Sequence, residues 1–214
     1  MWRTGKGYGH ALAAIARMLM QLTLIGYVLI YIFETESGLI ISGVLAVMLF
    51  AASWIALNTA DMAKGTLFPA SLVSVLIGGG TTLLLITQGV LQLKPWYQPS
   101  YMIPLAGMIF AASMTNISLA LDRLHAELRN GATFHNARDT AFRTSMIPVI
   151  NSFLAVGLIS LPGMMTGQIL SGVSPLIAVR YQIMVMCMIF GAAGLSTLCF
   201  LHMIRKTEQF KGLQ

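Results

Sequence analysis

The chain has 214 residues, 57% of them hydrophobic and only 9% charged, with a formal net charge of +6. A domain dissolved in water carries roughly 25% charged residues because its surface must be hydrated. This composition, with a mean hydropathy of +0.78, therefore excludes an ordinary water-soluble globule. The basic residues are punctuation between apolar runs and form no patch, which excludes a nucleic-acid partner.

A helix needs about 20 apolar residues to cross a hydrocarbon core ~30 Å thick. About six runs of the chain meet that length. In chain order they are His10–Phe33, Gly38–Leu57, Leu67–Leu91, Ile103–Leu121, Met146–Met165 and Tyr181–Met203. Polar or turn-forming stretches separate them: Glu34-Thr35-Glu36-Ser37, Asn58 to Lys64, Lys94 to Ser100, and Ser171 to Pro175. Lipid offers no partner to an unpaired backbone group, so helices are expected. The predicted fold is all-α: one polytopic membrane domain over residues 1–214, with a soluble helical segment at about 122–143. The first run is too long for a secretory leader and has no small-residue cleavage site after it. Cys187 and Cys199 both lie in the last run, where they read as packing residues and imply no disulfide framework.

Lys and Arg set the expected orientation. Arg3, Lys6, Arg17, Lys64, Arg123, Arg129, Arg138, Arg143, Arg205, Lys206 and Lys211 fall on one side, and only Lys94 and Arg180 on the other. This places both termini in the cytoplasm and the chain in the cell (inner) membrane. Trp96 and Tyr97 outside, with Trp2 and Tyr8 inside, suit the interfacial belts, and Arg17 is positioned to snorkel to the inner surface.

The connection from Asp122 to Arg143 has helical spacing in Leu121, Leu124 and Leu128, then Asn130-Gly131-Ala132-Thr133. Gly131 suits a left-handed helix end and Thr133 a new N-cap, so a helix, a sharp turn and a short second helix leading into Pro148 are expected. Pro162-Gly163 should break or kink the fifth span in the outer half of the bilayer, since proline removes a backbone donor and glycine loosens the chain. Ser174 is expected to cap a short helix opening at Pro175. Ser160, Pro162, Gly163, Met164, Met165 and Gln182 are the expected gate or pathway residues.

Of the 15 methionines, Met184 and Met188 stand one turn apart, and Met164, Met165 and Met184 are the candidates for metal ligation. Thioethers favour soft ions such as Cu(I), whereas iron prefers oxygen and nitrogen donors; methionine is also an ordinary packing residue. His10, His125, His135 and His202 all fall near cytoplasmic helix ends, and there is no His-x-x-x-His pair. Gln21, Gln88, Asn116, Asn151, Ser160 and Gln182 are the intramembrane polar residues, and no intramembrane acid marks proton coupling. No Gly-x-x-x-x-Gly-Lys-Ser/Thr loop is present, so the chain cannot hydrolyse ATP by that route. It is not expected to be an enzyme by itself or to bind a cofactor.

Ala126-Glu127, Gly131-Ala132-Thr133 and Ile147-Pro148 resemble the cytoplasmic coupling motif of ABC-transporter membrane subunits, with about one extra helical turn between glycine and proline. The string Ser160-Leu161-Pro162-Gly163-Met164-Met165 within Val156–Gly167, continued by Tyr181-Gln182-Ile183-Met184-Val185, resembles the signature of the FetB-type permeases. Arg17 with Gln21, Gly26-Tyr27-Val28-Leu29 and Ile103-Pro104-Leu105-Ala106-Gly107-Met108 add to it. That family comprises bacterial iron-export permeases and plant half-transporters linked to aluminium tolerance; its familiar members carry a further spanning helix before the first one here.

The resemblance implies the permease subunit of an ABC exporter moving metal, with ATP and Mg held by a separate cytoplasmic ATPase. That subunit would dock on Glu127, Gly131, Ala132 and Thr133, and a second copy of the chain would complete the pathway. Gly78-Gly79-Gly80, Ala111-Ala112 and Gly191-Ala192-Ala193-Gly194 would serve close helix contacts, within one chain or between two. The alternatives are an autonomous channel or ion-coupled transporter, a membrane scaffold, or an ABC permease for a non-metal cargo such as a nucleotide sugar.

Overall fold

The computed structural model describes residues 6–34, 37–58 and 64–205. Among the described residues seven α-helices follow one another: α1 (Lys6–Phe33), α2 (Gly38–Ile55), α3 (Lys64–Leu84), α4 (Pro99–Arg129), α5 (Phe134–Ala155), α6 (Gly163–Leu170) and α7 (Pro175–Ile204). Five of them, α1 to α4 and α7, are long and apolar enough to cross a bilayer, and no β-strand occurs among the described residues. The protein is an all-α polytopic membrane protein. The expectations that rest on Trp2, Arg3, Glu36, Asp61, Lys206 and Lys211, and on the side chains of Lys6, Tyr8, His10 and Lys64, lie outside the described residues.

The bundle is built on α3, α4 and α7. Lipid tails are as apolar as leucine, so burial alone drives helices together weakly and close packing of small residues must contribute. At Gly78 of α3 an added Cβ would overlap the backbone nitrogen and Oγ of Ser196 in α7. One residue on, a Cβ on Gly79 would meet Ile109 and Phe110 of α4 at 3.1 Å. Buried hydroxyls tie the same elements: Ser196 Oγ donates to Ser113 Oγ at 2.9 Å, and Ser113 Oγ to the Ala192 carbonyl at 3.4 Å. Ser71 of α3 likewise donates to the Ser53 carbonyl of α2 at 3.0 Å. Gly78, Gly79, Ala192 and Ala193 are therefore used within one chain.

Helix α1 stands apart. Its described side chains face outward except for Leu29 and Ile32, which touch the core near the end of the helix. Arg17 is exposed there. Helix α3 extends past Leu84 as a wider π turn over Leu85–Val90, with Leu91 N–H donating to the Ile86 carbonyl five residues back at 2.9 Å. The third span accordingly ends at Val90, one residue short of the expected Leu91.

Three expectations are corrected. The fifth span, Met146–Met165, is no continuous helix. α5 stops at Ala155, and Val156, with ψ 132°, turns the chain away six residues ahead of Pro162. Gly157 takes φ +81°, and its N–H donates to the Ser160 carbonyl at 3.0 Å, closing a tight loop that glycine alone enters without strain. Pro162 instead caps the eight-residue α6, its carbonyl accepting from the Thr166 N–H at 2.9 Å. Secondly, the helix after the turn at Gly131 is not short: α5 runs 22 residues, straight through Pro148. Thirdly, Pro175 opens the 30-residue α7 rather than a short helix, and Ser174 makes no side-chain cap bond.

The turn between α4 and α5 follows the expected chemistry. Gly131 has φ +83°, the Ala132 N–H donates to the Glu127 carbonyl and the Gly131 N–H to the Leu128 carbonyl, each at 3.1 Å. These two bonds satisfy carbonyls that a helix end would leave open. Thr133 Oγ then accepts from the Asn136 N–H at 3.4 Å, opening α5.

Two stability predictions follow from this packing. Gly78→Val should cost at least the 1–3 kcal/mol typical of overpacking, because backbone cannot yield as a side-chain tip does. Gly80→Val should be near neutral, since its Cβ would meet only Leu76 of the same helix at 3.7 Å. Thermal unfolding in detergent separates them, and equal melting temperatures would mean that α3 and α7 do not meet at Gly78. Likewise Gly131→Ala should lose about 1 kcal/mol to left-handed strain, whereas Gly163→Ala, with no atom within 4 Å of its Cβ, should not.

Candidate functional site

Two features carry chemistry, one at each end of the bundle. The first is the α4–α5 hairpin. At 1.5 Å per residue the 31 residues of α4 span about 46 Å, some 16 Å more than the hydrocarbon core needs. Its last two turns hold Asp122, Arg123, Glu127 and Arg129, so this is the end that projects from the membrane. α5 packs back along it through Phe134, Ala137, Ala141 and Ser145, all buried. The hairpin is thus a firm projection whose tip presents Asn130, Gly131 and Thr133 exposed and Ala132 half-buried.

Glu127 is held within the hairpin by an ion pair with Arg123, one helical turn earlier. Its side chain retains 20% of its exposure, leaving an edge accessible beside the tip. On α5, Arg138 donates from Nε and Nη2 to Asp139 Oδ1 at 3.2 and 2.9 Å. That guanidinium holds the Asp139 carboxyl below the usual carboxylate range, so the pair persists as pH falls toward the ordinary carboxylate value. The four expected coupling residues, Glu127, Gly131, Ala132 and Thr133, are therefore neighbours on one tip.

The second feature is a cavity of about 650 Å³ between α4, α6 and α7, at the end opposite the hairpin tip. Met108, Met164, Gln168, Tyr181 and Met184 line it, with Tyr101 at the start of α4. Gln168 Oε1 is buried without a hydrogen-bond partner. The lining holds three thioethers, two phenols, a carboxamide and the Ser100 hydroxyl, and no carboxylate. Among the described residues no group of three His, Cys, Asp or Glu side chains could hold a metal ion.

The predicted pathway residues divide between two cavities. Met164 and Met184 meet in the large one. Met165, the next residue round α6, lines a separate cavity of about 350 Å³ against α5 and α7, together with Gln182. Gln182 is 7% exposed, and its Oε1 also lacks a partner. Ser160 lies exposed in the loop, where its backbone rather than its hydroxyl is engaged, and Gly163 opens α6 facing outward. Sequence reasoning did not single out Gln168. Its spacing carried the signal, because it follows Met164 by four residues and so shares that face of α6.

A profile of the family described as "Uncharacterised protein family (UPF0014)" matches residues 7–208. The UPF0014 membrane protein slr1647 of Synechocystis is 37% identical over 207 residues, covering 89% of this chain and 79% of its own. The probable iron export permease protein FetB of Escherichia coli is 35% identical over 208 residues, covering 88% and 78% respectively. Protein ALUMINUM SENSITIVE 3 of Arabidopsis thaliana is 37% identical over 206 residues, covering 89% and 74%. No solved structure matches. With a family profile spanning nearly its whole length, this multi-pass membrane protein belongs to the UPF0014 family.

Proposed function

We propose that the chain is the membrane-spanning permease subunit of an ABC exporter, driven by a separate cytoplasmic ATPase and carrying a metal ion, iron by analogy with the Escherichia coli relative's name. The observation that carries this reading is the projecting α4–α5 hairpin. It presents Gly131, Ala132 and Thr133 on a tip stiffened by two backbone bonds at its base, with Glu127 beside them. A protruding, ordered, partly charged turn on a membrane protein suits a soluble partner, and without a nucleotide loop of its own the chain needs one for active transport. The partner would bring ATP and Mg; this chain would bring the pathway.

On this reading the basic end lies in the cytoplasm, with both termini, as the distribution of Lys and Arg favours. The cavity lined by Met108, Met164 and Met184 is then the outward chamber, and the α5–α6 break beside it the gate. Helix breaks at membrane depth are tolerated where they border protein or a water-filled space. A second copy of the chain would close the pathway. Helices α1 and α6 offer outward apolar faces for it, since Gly78 and Gly79 of α3 and Ala192 and Ala193 of α7 are engaged internally. Met164 and Met184 would be supporting ligands at most for iron, which favours the harder oxygen of Gln168 and the tyrosines.

Gentle purification from native membranes tests the assignment. An ATPase with nucleotide-binding motifs should copurify with the wild-type chain. It should be lost with Gly131→Pro, because proline is fixed near φ −65° and the turn requires φ +83°. Helical content by circular dichroism should stay unchanged. Iron efflux from vesicles should fall with partner retention. Transport that continues with no ATPase bound would replace this reading with an autonomous channel or ion-coupled transporter.

A further inference from the structure

Two depressions at the hairpin end of the bundle share one side chain, Arg138. The larger, about 560 Å³, runs between α3, α5 and α7 and is walled by Ile77, Phe142, Leu195 and Leu198, together with Asp139 and His202. The smaller, about 220 Å³, continues past Arg138 to Thr133, His135 and Arg205. Ile77, Leu195 and Leu198 are 49%, 51% and 51% exposed on helices that cross the membrane, so this wall faces hydrocarbon. The groove therefore begins apolar, within the bilayer, and ends between two guanidinium groups at its surface.

Charge decides what fits there. Arg205 has no ion-pair partner among the described residues, and Asp139 engages only two of the donors of Arg138. Two arginines against one carboxylate leave the head of the groove positive, with His135 and His202 adding charge when protonated. A second copy of the chain is a poor occupant, because a twofold contact across this groove would set arginine against arginine. Guanidinium groups bind phosphate oxygens in a fixed fork, and basic pockets between membrane helices hold anionic headgroups. We infer that this groove binds an anionic phospholipid, its phosphate between Arg138 and Arg205 and an acyl chain along Ile77, Leu195 and Leu198. The bound lipid would fix α5 against α3 and α7 at the base of the hairpin. The inference stands whether or not an ATPase docks there.

Native mass spectrometry of the full chain in detergent, with phosphatidylglycerol and phosphatidylcholine supplied in equal amounts, tests it. The wild type should retain phosphatidylglycerol preferentially. At roughly fivefold per arginine, Arg205→Gln should cut that preference about fivefold and the double exchange Arg138→Gln with Arg205→Gln about 25-fold. Asp139→Asn should strengthen retention, because it releases donors of Arg138; a merely structural ion pair would give the reverse. Arg205 is exposed at the end of α7, so its exchange leaves the fold intact, and circular dichroism checks this. Equal retention of the two lipids, or an unchanged preference in the double variant, would overturn the proposal. So would displacement of the lipid by inorganic phosphate, which would make the pocket a free-anion site.

Discussion

The tight approach of Gly78 of α3 to Ser196 of α7 governs the rest of the arrangement. No side chain separates the two backbones there, and Ser196 uses its hydroxyl to reach Ser113 of α4. Three helices are thereby fixed at one level by small residues and one buried hydroxyl pair. In lipid such contacts matter more than apolar area, since hydrocarbon surrounds a leucine equally well on either side of the interface. The cavities open on both sides of this junction: the methionine-lined one toward the start of α4 and α7, and the arginine-headed groove toward their ends.

Polar groups in the spans obey the same solvent. Thr82, Thr87 and Thr115 each donate to the carbonyl four residues back, satisfying the hydroxyl where no water reaches, and Asn116 Nδ2 does the same while its Oδ1 stays unpartnered. Gln168 and Gln182 also leave a buried Oε1 unpartnered, and each of these borders a cavity. An unmet acceptor in hydrocarbon costs several kcal/mol, and at Gln168 and Gln182 it stands beside open volume near the broken fifth span.

Much of this was legible in the sequence because membrane thickness is a physical ruler. The ends of α2 and of the π-extended α3 fall close to the limits of their apolar runs, and Gly131 and Thr133 form the turn and cap that their chemistry requires. The fifth span misled for a reason that composition hides. Met146–Met165 is apolar enough to cross, yet Gly157 closes a backbone loop well before Pro162, and hydropathy does not register a positive φ. The hairpin was under-read in a different way: charges in α5 marked it as soluble, while its continuation through Pro148 depends on packing against α4. Met108, Met164 and Met184 were visible singly, but their meeting depends on how α6 folds back, which no local pattern encodes. Arg138 and Arg205 are 67 positions apart in the chain and join only because α5 and α7 are held to the same post.

The two ends of the molecule are joined by one uninterrupted element. α4 runs from the exposed hairpin tip to Tyr101 and Met108 at the large cavity without leaving helical geometry. A continuous helix transmits displacement as tilt or translation instead of absorbing it in loop dihedrals. Its hairpin partner α5 is the opposite case, because it ends at Val156 and Gly157, where the backbone leaves the helix and a short loop leads to α6. A push at the tip would move both helices together at the hairpin, then separate their effects at the far end. α4 would carry Met108 with it, while the loop at Gly157 would allow α6 to remain. The large cavity has one wall on α4 and another on α6, so its width is the quantity that such a displacement would change.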